Sequence, residues 1–345
     1  MRWQVALVYN EPEASRYDNT GEVKAVMGVL DAVQAVEQSL HELGHSVTVL
    51  PLTLPLEQAR ETLERLDVDL VFNLFEGFCG FPETEAMVPE TLSGLGIPFT
   101  GCSASMLRLA LDKSAVKVLL KAAGIPTPDF QVLTPQTVTA FRMAFPCIVK
   151  PCGEDASHGV TQKSVVADFA ALERQVAVIS DSYGGRALVE RFVDGREFNA
   201  TVMGKSRYDV LPISEIVFSL PPGLPKILTF DAKWEADTPY FDGTKAICPA
   251  EISSELAERI GSTALSVFRL LGFTGLARVD MRQDNNTGEI NVIEVNPNPD
   301  ISPGVGAVRQ AGAAGMSYTQ FVEKLIEIAL EKKADDRYQA ELEVV

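Results

Sequence analysis

Residues Ile290–Pro297 read Ile-Asn-Val-Ile-Glu-Val-Asn-Pro, and this stretch decides the fold. Polar and apolar residues alternate along it, so a β-strand here carries Glu294 and Asn296 on one face and Ile293 and Val295 on the other. A strand needs a neighbour to satisfy its backbone hydrogen-bonding groups. The preceding sequence supplies a candidate.

Arg278 and Asp280 alternate with apolar residues in the same way, and residues 284–288 (Asp-Asn-Asn-Thr-Gly) are a turn signal. The two strands are therefore predicted to form a hairpin, with Glu294 and Asn296 on the same face as Arg278 and Asp280. Mg²⁺ needs only a few oxygen ligands from the protein when phosphates fill its remaining coordination positions. The alternative is the solvated outer face of a sheet. We favour the metal site, because such a face usually includes Lys, Thr and Ser.

The first hundred residues alternate between strand and helix patterns. Strands are predicted at 3–9, 47–50 and 70–74, and helices at 23–43, 55–65 and 84–95. Continuous apolar strands separated by helices predict a parallel sheet covered on both faces. Ligands bind beyond the carboxyl ends of such strands, where Glu11 and Glu76 lie.

Beyond residue 125 the pattern changes to strands that pair at short range. We predict that 146–150 pairs with 161–164 and that 187–192 pairs with 197–203, which is an antiparallel α+β arrangement. The expected division is an N-terminal α/β domain at 1–104, a second unit at 105–185, a third at 186–332 and a charged tail at 333–345.

Composition limits the possible partners and compartment. The net charge of −17 repels the phosphate backbone, so no nucleic-acid partner is expected. No stretch approaches the ~20 apolar residues of a membrane span. The five cysteines are scattered and form no Cys-x-x-Cys pair, which is typical of reduced thiols. We expect a cytoplasmic protein without a membrane partner.

Lys150 ends an apolar strand, where an ammonium group needs an anionic partner. The alternative is a lysine whose charge reaches the surface. The loop between Gly153 and Gly159 consists largely of small residues, and its backbone N–H groups could hold a phosphate; the alternative is an ordinary turn. The sequence contains no P-loop, Gly-x-Gly-x-x-Gly, His-Glu-x-x-His or Gly-x-Ser-x-Gly motif.

Five short motifs, in order, resemble those of the ATP-grasp superfamily, and within it those of D-alanine–D-alanine ligases. They are Asp112-Lys113, Ile148–Pro151, Glu190–Phe198, Ala277–Asp280 and Glu294–Asn296. The resemblance extends from about Asn73 to Leu330. It implies an α/β N-terminal parallel-sheet domain followed by an ATP-grasp fold, in which two α+β subdomains clamp ATP.

The resemblance also implies roles for individual residues. ATP contacts are implied for Lys113, Lys150, Ser157, Glu190, Phe192, Val193, Glu197 and Lys233. Magnesium or manganese ligands are implied for Asp280, Glu294 and Asn296, and two ions are usual in the family. Arg278 resembles the arginine that stabilises an oxyanion, and Lys233 the lysine on the γ-phosphate. Substrate contacts are expected from Glu11, Glu76 and Ser302.

The implied activity is ATP-dependent ligation of a carboxylate to an amine through an acyl-phosphate. The ligands would be small molecules, and homodimers are usual in the family. The ATP motifs match the family, whereas the amino-acid side departs from it: Glu76-Gly77 stands where a histidine-glycine pair is expected, and Trp234 replaces a tyrosine. The same chemistry on another amino acid or carboxylate pair, as in a natural-product dipeptide ligase, therefore stays open. A non-catalytic ATP-binding regulator is a further alternative.

Overall fold

The computed structural model describes residues 1–13 and 28–343, with residues 332–343 described only as helical backbone. Its N-terminal unit is a parallel sheet with strand order β2-β1-β3, formed by β1 (Gln4–Asn10), β2 (Ser46–Leu52) and β3 (Leu70–Leu74). Helices α1 (Val29–Glu42), α2 (Leu56–Glu64) and α3 (Met87–Leu95) connect and cover it. The predicted parallel sheet is confirmed. The first part of the helix predicted at 23–43 lies outside the described residues.

Side chains bind the carboxyl end of β3 to its two neighbours, β1 and the segment that follows α3. Asn10, which is buried, accepts a hydrogen bond from the backbone N–H of Glu76 at 3.0 Å. Thr100 accepts one from the backbone N–H of Asn73 at 2.9 Å. Because parallel strands end at the same edge, these bonds fix the position at which polar residues follow the sheet.

The second unit is an antiparallel sheet with strand order β4-β7-β5-β6. Its strands are β4 (Phe130–Leu133), β5 (Cys147–Pro151), β6 (Val165–Val166) and β7 (Ala187–Arg191). Helix α6 (Phe169–Ser182) packs on the sheet through Leu172, Val176 and Ile179, all fully buried.

Both short-range pairings predicted for this region are wrong. β5 pairs with β6 and β7, whereas Gln162–Ser164 forms a 3₁₀ turn closed by a capping box between Thr161 and Ser164. The capping box forms hydrogen bonds to backbone groups within the turn, so these groups are not available to pair with a neighbouring strand.

The second error lies at 187–203, where the chain passes from one sheet to another. β7 pairs with β4 and β5, while β8 (Gly195–Gly204) pairs with strands of the next sheet. Gly195 begins β8 so close to another strand that a Cβ atom here would lie 1.7 Å from the carbonyl oxygen of Gln283. The close approach explains why glycine stands at the crossing.

The described strands of the third unit form one sheet in the order β11-β10-β8-β12-β13, with β9 also paired to β8. They are β9 (Tyr208–Val210), β10 (Ser214–Phe218), β11 (Thr244–Ile247), β12 (Gly275–Asp284) and β13 (Ile290–Pro297). The predicted hairpin is confirmed: Arg278 lies opposite Asn296, and Asp280 opposite Glu294.

The remaining helices join the units. They are α4 (Ala104–Leu111), α5 (Lys113–Ala122), α7 (Phe230–Trp234), α8 (Pro239–Gly243), α9 (Ser254–Leu270), α10 (Gly306–Ala313) and α11 (Tyr318–Glu343). The apolar face of the hairpin packs in a core with α9. Phe321 and Leu325 of α11 pack instead with the N-terminal sheet. Within the described chain, no helix combines the length and apolarity needed to span a bilayer.

Candidate active site

Lys150 at the end of β5 has an anionic partner, as its position in an apolar strand predicts. Its Nζ lies 2.7 Å from Oε2 of Glu190 on the neighbouring strand β7 and donates to the carbonyl oxygen of Ile293 at 3.1 Å. Lys117 of α5 forms a second ion pair with Glu190 and donates to Oγ1 of Thr127 at 2.8 Å. Because all three charged residues are buried, the surface-lysine alternative for Lys150 is wrong.

Lys113, the first residue of α5, connects a loop to the hairpin. Its Nζ lies 3.0 Å from Oε1 of Glu294 and 3.1 Å from Oδ1 of Asp155, and it also donates to the carbonyl oxygen of Glu154. Burial alone would raise the pKa of Glu294, but Lys113 and the nearby Lys150 and Lys233 outweigh it and lower that pKa to about 2. The hairpin carboxylate is therefore held ionised by lysines.

Asp280 is fixed by four hydrogen bonds. Arg278 donates to it twice, from Nε to Oδ1 at 2.7 Å and from Nη2 to Oδ2 at 2.9 Å. The amides of Asn199 and Asn296 donate to the same carboxylate at 2.6 and 3.0 Å. A bidentate arginine contact of this kind fixes orientation as well as charge. Lys233, on the short helix α7, lies nearby, and burial together with Arg278 lowers its pKa.

Glu197 at the start of β8 is bound by Arg282 of β12, whose Nε lies 3.1 Å from Oε2. Arg282 also donates to the carbonyl oxygen of Val193 at 2.7 Å, and its guanidinium carbon lies 5.2 Å from the ring centre of Phe192. One buried arginine thus fixes the segment between the two antiparallel sheets. Such stacking on an aromatic ring favours Arg over Lys.

Arg282 and Lys117 were not predicted from the sequence, although the spacing of each from a predicted site residue places it on the same face of its strand or helix. Arg282 lies two residues after Asp280, so it shares the polar face of β12. Lys117 lies four residues after Lys113, so it shares one face of α5. Both are buried.

These side chains surround one cleft between the four-stranded sheet and the hairpin sheet, with a volume of about 820 Å³ including its open mouth. The predicted residues that line it are Lys113, Lys150, Ser157, Glu190, Phe192, Val193, Glu197, Lys233, Asp280 and Glu294. Arg278 and Asn296 are not among the lining residues, but both donate hydrogen bonds to Asp280, which is.

The loop over the cleft has an unusual backbone. Ala156 and Ser157 have φ values of 51° and 64°, and Gly159 has 72°. A Cβ at Gly159 would lie 2.9 Å from both Pro151 and Tyr183, so only glycine fits there. Left-handed residues in succession can turn N–H groups toward a common point.

The three expected substrate contacts are divided. Glu76 lines a second pocket beside the N-terminal sheet. Ser302 contacts that pocket indirectly, because its backbone N–H and hydroxyl donate to Asp300 at 2.7 and 2.6 Å. Glu11 is not brought to the lining; its carboxylate accepts from the hydroxyl of Tyr9 at 3.5 Å.

Comparisons with known proteins agree with this geometry. The family model described as "D-ala D-ala ligase C-terminus" matches residues 119–327. The chain is 33% identical over 301 residues to the uncharacterized protein y4sG of Sinorhizobium fredii, covering 86% of each chain. It is 30% identical over 302 residues to the D-alanine–D-alanine ligase of Gluconobacter oxydans, covering 86% of this chain and 92% of the relative.

Solved structures share the fold. A crystal structure of a D-alanine–D-alanine ligase from Bacillus anthracis has a TM-score of 0.74 with 21% identity, covering 97% of this chain and 100% of the other. The same ligase complexed with ATP has a TM-score of 0.73. At this identity the likeness shows the fold alone.

The parallel-sheet unit and the cleft between two antiparallel sheets show the ATP-grasp fold, as the sequence predicted. The chain belongs to the D-alanine–D-alanine ligase family. The predicted activity class, an ATP-dependent ligase that forms a C–N bond, is confirmed by this membership.

Proposed function

We propose that the protein activates a carboxylate with ATP in the cleft between β5 and the hairpin and joins it to the amine of an amino acid. The convergence of Lys113 and Lys150 on the hairpin carries this proposal: Lys113 pairs with Glu294, and Lys150 donates to the neighbouring carbonyl oxygen of Ile293. Phosphoryl transfer requires mainly positioning and charge neutralisation, which such lysines supply. Several relatives are named D-alanine–D-alanine ligase, so D-alanine on both sides is the first candidate pair. The acidic second pocket favours a different amino acid as the alternative.

Nucleotide contacts follow from the lining of the cleft. Lys113 and Lys150 would bind phosphate oxygens, with the backbone of the loop at Ser157 above them. Phe192 and Val193 offer backbone groups for adenine, with the Glu190 carboxylate held nearby by its lysines, and Glu197 offers a carboxylate for the ribose hydroxyls. Glu197 is already oriented by Arg282.

The hairpin fits Mg²⁺ or Mn²⁺. Asp280 and Glu294 lie opposite each other, and the amide of Asn296 is next to Asp280. The described residues contain no group of three His, Cys, Asp or Glu that could hold a metal by itself. This suits ions that take their other ligands from phosphate and water, and a pair of ions is proposed on the family pattern. When bound, the metal supplies charge neutralisation at the phosphates.

The donor carboxylate would attack the γ-phosphorus of ATP, forming an acyl-phosphate and releasing ADP. The acceptor amine would then attack the acyl carbon, and phosphate would leave as the C–N bond forms and the amine loses its proton. Arg278, held rigid by Asp280, is placed to stabilise the oxyanion, and Lys233 to bind the transferred phosphoryl group. We also propose a homodimer, which size-exclusion chromatography with light scattering would test.

The test measures ADP release in Lys150→Ala and Glu294→Gln variants with paired amino acids. Each variant is expected to lose roughly 100-fold or more in kcat while retaining its circular-dichroism spectrum. Lys163→Ala, an exposed lysine shortly after the loop, is the matched control and should retain full activity. Full activity in either site variant would contradict the proposal.

A further inference from the structure

A second pocket of about 550 Å³, its open side included, lies at the carboxyl end of β3. Three carboxylates line it: Glu76 and Glu85 from the connection between β3 and α3, and Asp300 from the segment after β13. We call these three residues and their cavity the acid pocket. None of its described lining residues is Lys, Arg or His. The pocket therefore gathers acidic groups without an internal counter-ion.

The neutral contacts of these carboxylates do not balance their charge. The amide of Asn298 donates to Glu85 at 3.4 Å, and Ser302 donates to Asp300. The carboxylate of Glu76 reaches solvent, but the surrounding protein removes part of its hydration, which favours the neutral form. This loss of hydration, followed by the negative charges of Asp300 and Asp155, raises the pKa of Glu76 to about 8. Burial, followed by Asp155 and Glu76, raises the pKa of Glu85. These acidic groups thus crowd each other, and the raised pKa values favour their protonated forms until a cation is present. In the ATP cleft, by contrast, lysine or arginine pairs with Glu190, Glu197, Asp280 and Glu294.

An independent feature of the same lining is Asn73. This residue is 8% exposed, and its Oδ1 accepts the backbone N–H of Phe75 at 3.2 Å. Its buried Nδ2 has no hydrogen-bond partner in the described part of the chain. A buried donor without an acceptor is costly. The pocket therefore lacks both a cation for its carboxylates and an acceptor for its amide donor.

The acid pocket adjoins the catalytic residues. Asp155, whose charge acts on Glu76 and Glu85, is bound to Lys113 in the ATP cleft at 3.1 Å. The charge of Asp300 acts in turn on Arg278. A ligand in the acid pocket would therefore lie next to the reacting groups, which is the position of a substrate.

We propose that the acid pocket binds an amino-acid substrate carrying a second cationic group, an ammonium or guanidinium, which its three carboxylates receive. This assignment rests on the proposed ligase function and names the substrate class for it. Alanine is a zwitterion with no net charge, so its carboxylate would be repelled as its ammonium is attracted. An amino acid of net positive charge removes the imbalance, and its carboxylate oxygen supplies an acceptor for Asn73.

The test compares lysine with norleucine, which has the same carbon skeleton without the terminal ammonium. Binding of each enantiomer is measured by isothermal titration calorimetry, with the full-length protein saturated with a non-hydrolysable ATP analogue and Mg²⁺. Lysine of one configuration is expected to bind at least about tenfold more tightly than the matching norleucine, given its additional charge pairing.

The double variant Glu76→Gln/Asp300→Asn is expected to reduce this preference to about threefold or less, because it removes two charges while keeping side-chain shape. Its unfolding temperature should not fall, since crowding of like charges is relieved. Glu83→Gln, an exposed carboxylate on the same segment, is the control and should keep the preference for lysine. Equal binding of the two ligands, no binding of either, or a preference that survives in the double variant would overturn the assignment.

ADP release separates this assignment from the ligase proposal. If lysine is preferred but no amino-acid pair releases ADP, the ligase proposal fails and the pocket assignment stands. If alanine releases ADP and lysine is bound no better than norleucine, the pocket assignment fails and the ligase proposal stands.

Discussion

Glu190 is a single buried carboxylate shared by two lysines, Lys117 and Lys150. Burial would raise the pKa of Glu190, but the two lysines lower it. At Lys117, burial and the like charge of Lys150 lower the pKa by more than the Glu190 carboxylate raises it. The pKa of Lys117 therefore falls to about 8. The protein thus keeps one more positive charge than negative charge in this group. An excess of this kind is what a phosphate-binding site needs before its ligand arrives.

Glu294 makes a pH-dependent contribution to stability that can be measured without nucleotide or metal. Its pKa is about 2 in the folded protein against an ordinary value of 4.5, so its stabilisation is fully present above pH 4.5 and is lost as the pH falls toward 2. We expect the unfolding free energies of the unaltered protein and of Glu294→Gln to differ by about 2 kcal/mol less at pH 3 than at pH 6. Urea unfolding at the two pH values measures this, and a constant difference would contradict it.

At the scale of elements, alternation predicted the β12–β13 hairpin and the shared face of its polar residues. It did not predict the irregularity after Asp280, where Met281 pairs with Val292 and Ile293 is left to line the cleft. Partner choice in the four-stranded sheet could not be predicted in this way. β5 and β7 read as buried strands, and nothing local in such a strand specifies which distant strand it joins. Glu190 shows the same limit: the sequence could place it on a strand but could not reveal that Lys117 would contact it.

The helix α5 carries both Lys113 and Lys117, so its first turn positions the phosphate site. Asp112 caps it by accepting the backbone N–H groups of Ser114 and Ala115 at 3.0 and 3.1 Å. We expect Asp112→Ala to lower stability by about 1 kcal/mol and to raise KM for ATP several-fold. Thermal unfolding and ADP-release kinetics measure the two effects.

Ser253 provides the control for this substitution. It caps α9 by accepting the backbone N–H of Leu256 at 3.2 Å, and α9 carries none of the residues assigned to the cleft. Ser253→Ala should lose similar stability with no change in KM for ATP. An equal rise of KM in both variants would mean that the effect is general destabilisation rather than displacement of Lys113.

At the scale of the whole molecule, the last described helix packs against the first sheet. Phe321 of α11 is fully buried in a core that also contains Val5, Leu7 and Phe72. We expect Phe321→Ala to destabilise the protein by about 3–5 kcal/mol, because a large cavity forms between distant parts of the chain. Activity and N-terminal structure should be lost in the same thermal transition, followed by circular dichroism and residual ADP release.

Phe241→Ala is the matched control, since Phe241 is 42% exposed and belongs to no buried core. Its unfolding temperature should change little. Two separate transitions in Phe321→Ala, with activity surviving the first, would contradict a shared core between the N-terminal sheet and α11.

Asp155 acts on both pockets, because it binds Lys113 of the ATP cleft and its charge raises the pKa values of Glu76 and Glu85 in the acid pocket. If phosphates bind Lys113 and separate it from Asp155, the negative charge of Asp155 is no longer neutralised and acts more strongly on the acid pocket. Nucleotide and cationic substrate should therefore bind with positive cooperativity, and by thermodynamic linkage each must raise the affinity for the other by the same factor. Equal lysine affinities with and without the ATP analogue would show that the two ligands bind independently. With coupling, the complex that holds both ligands is favoured over complexes that hold one, so the energised site forms mainly when its substrate can be held.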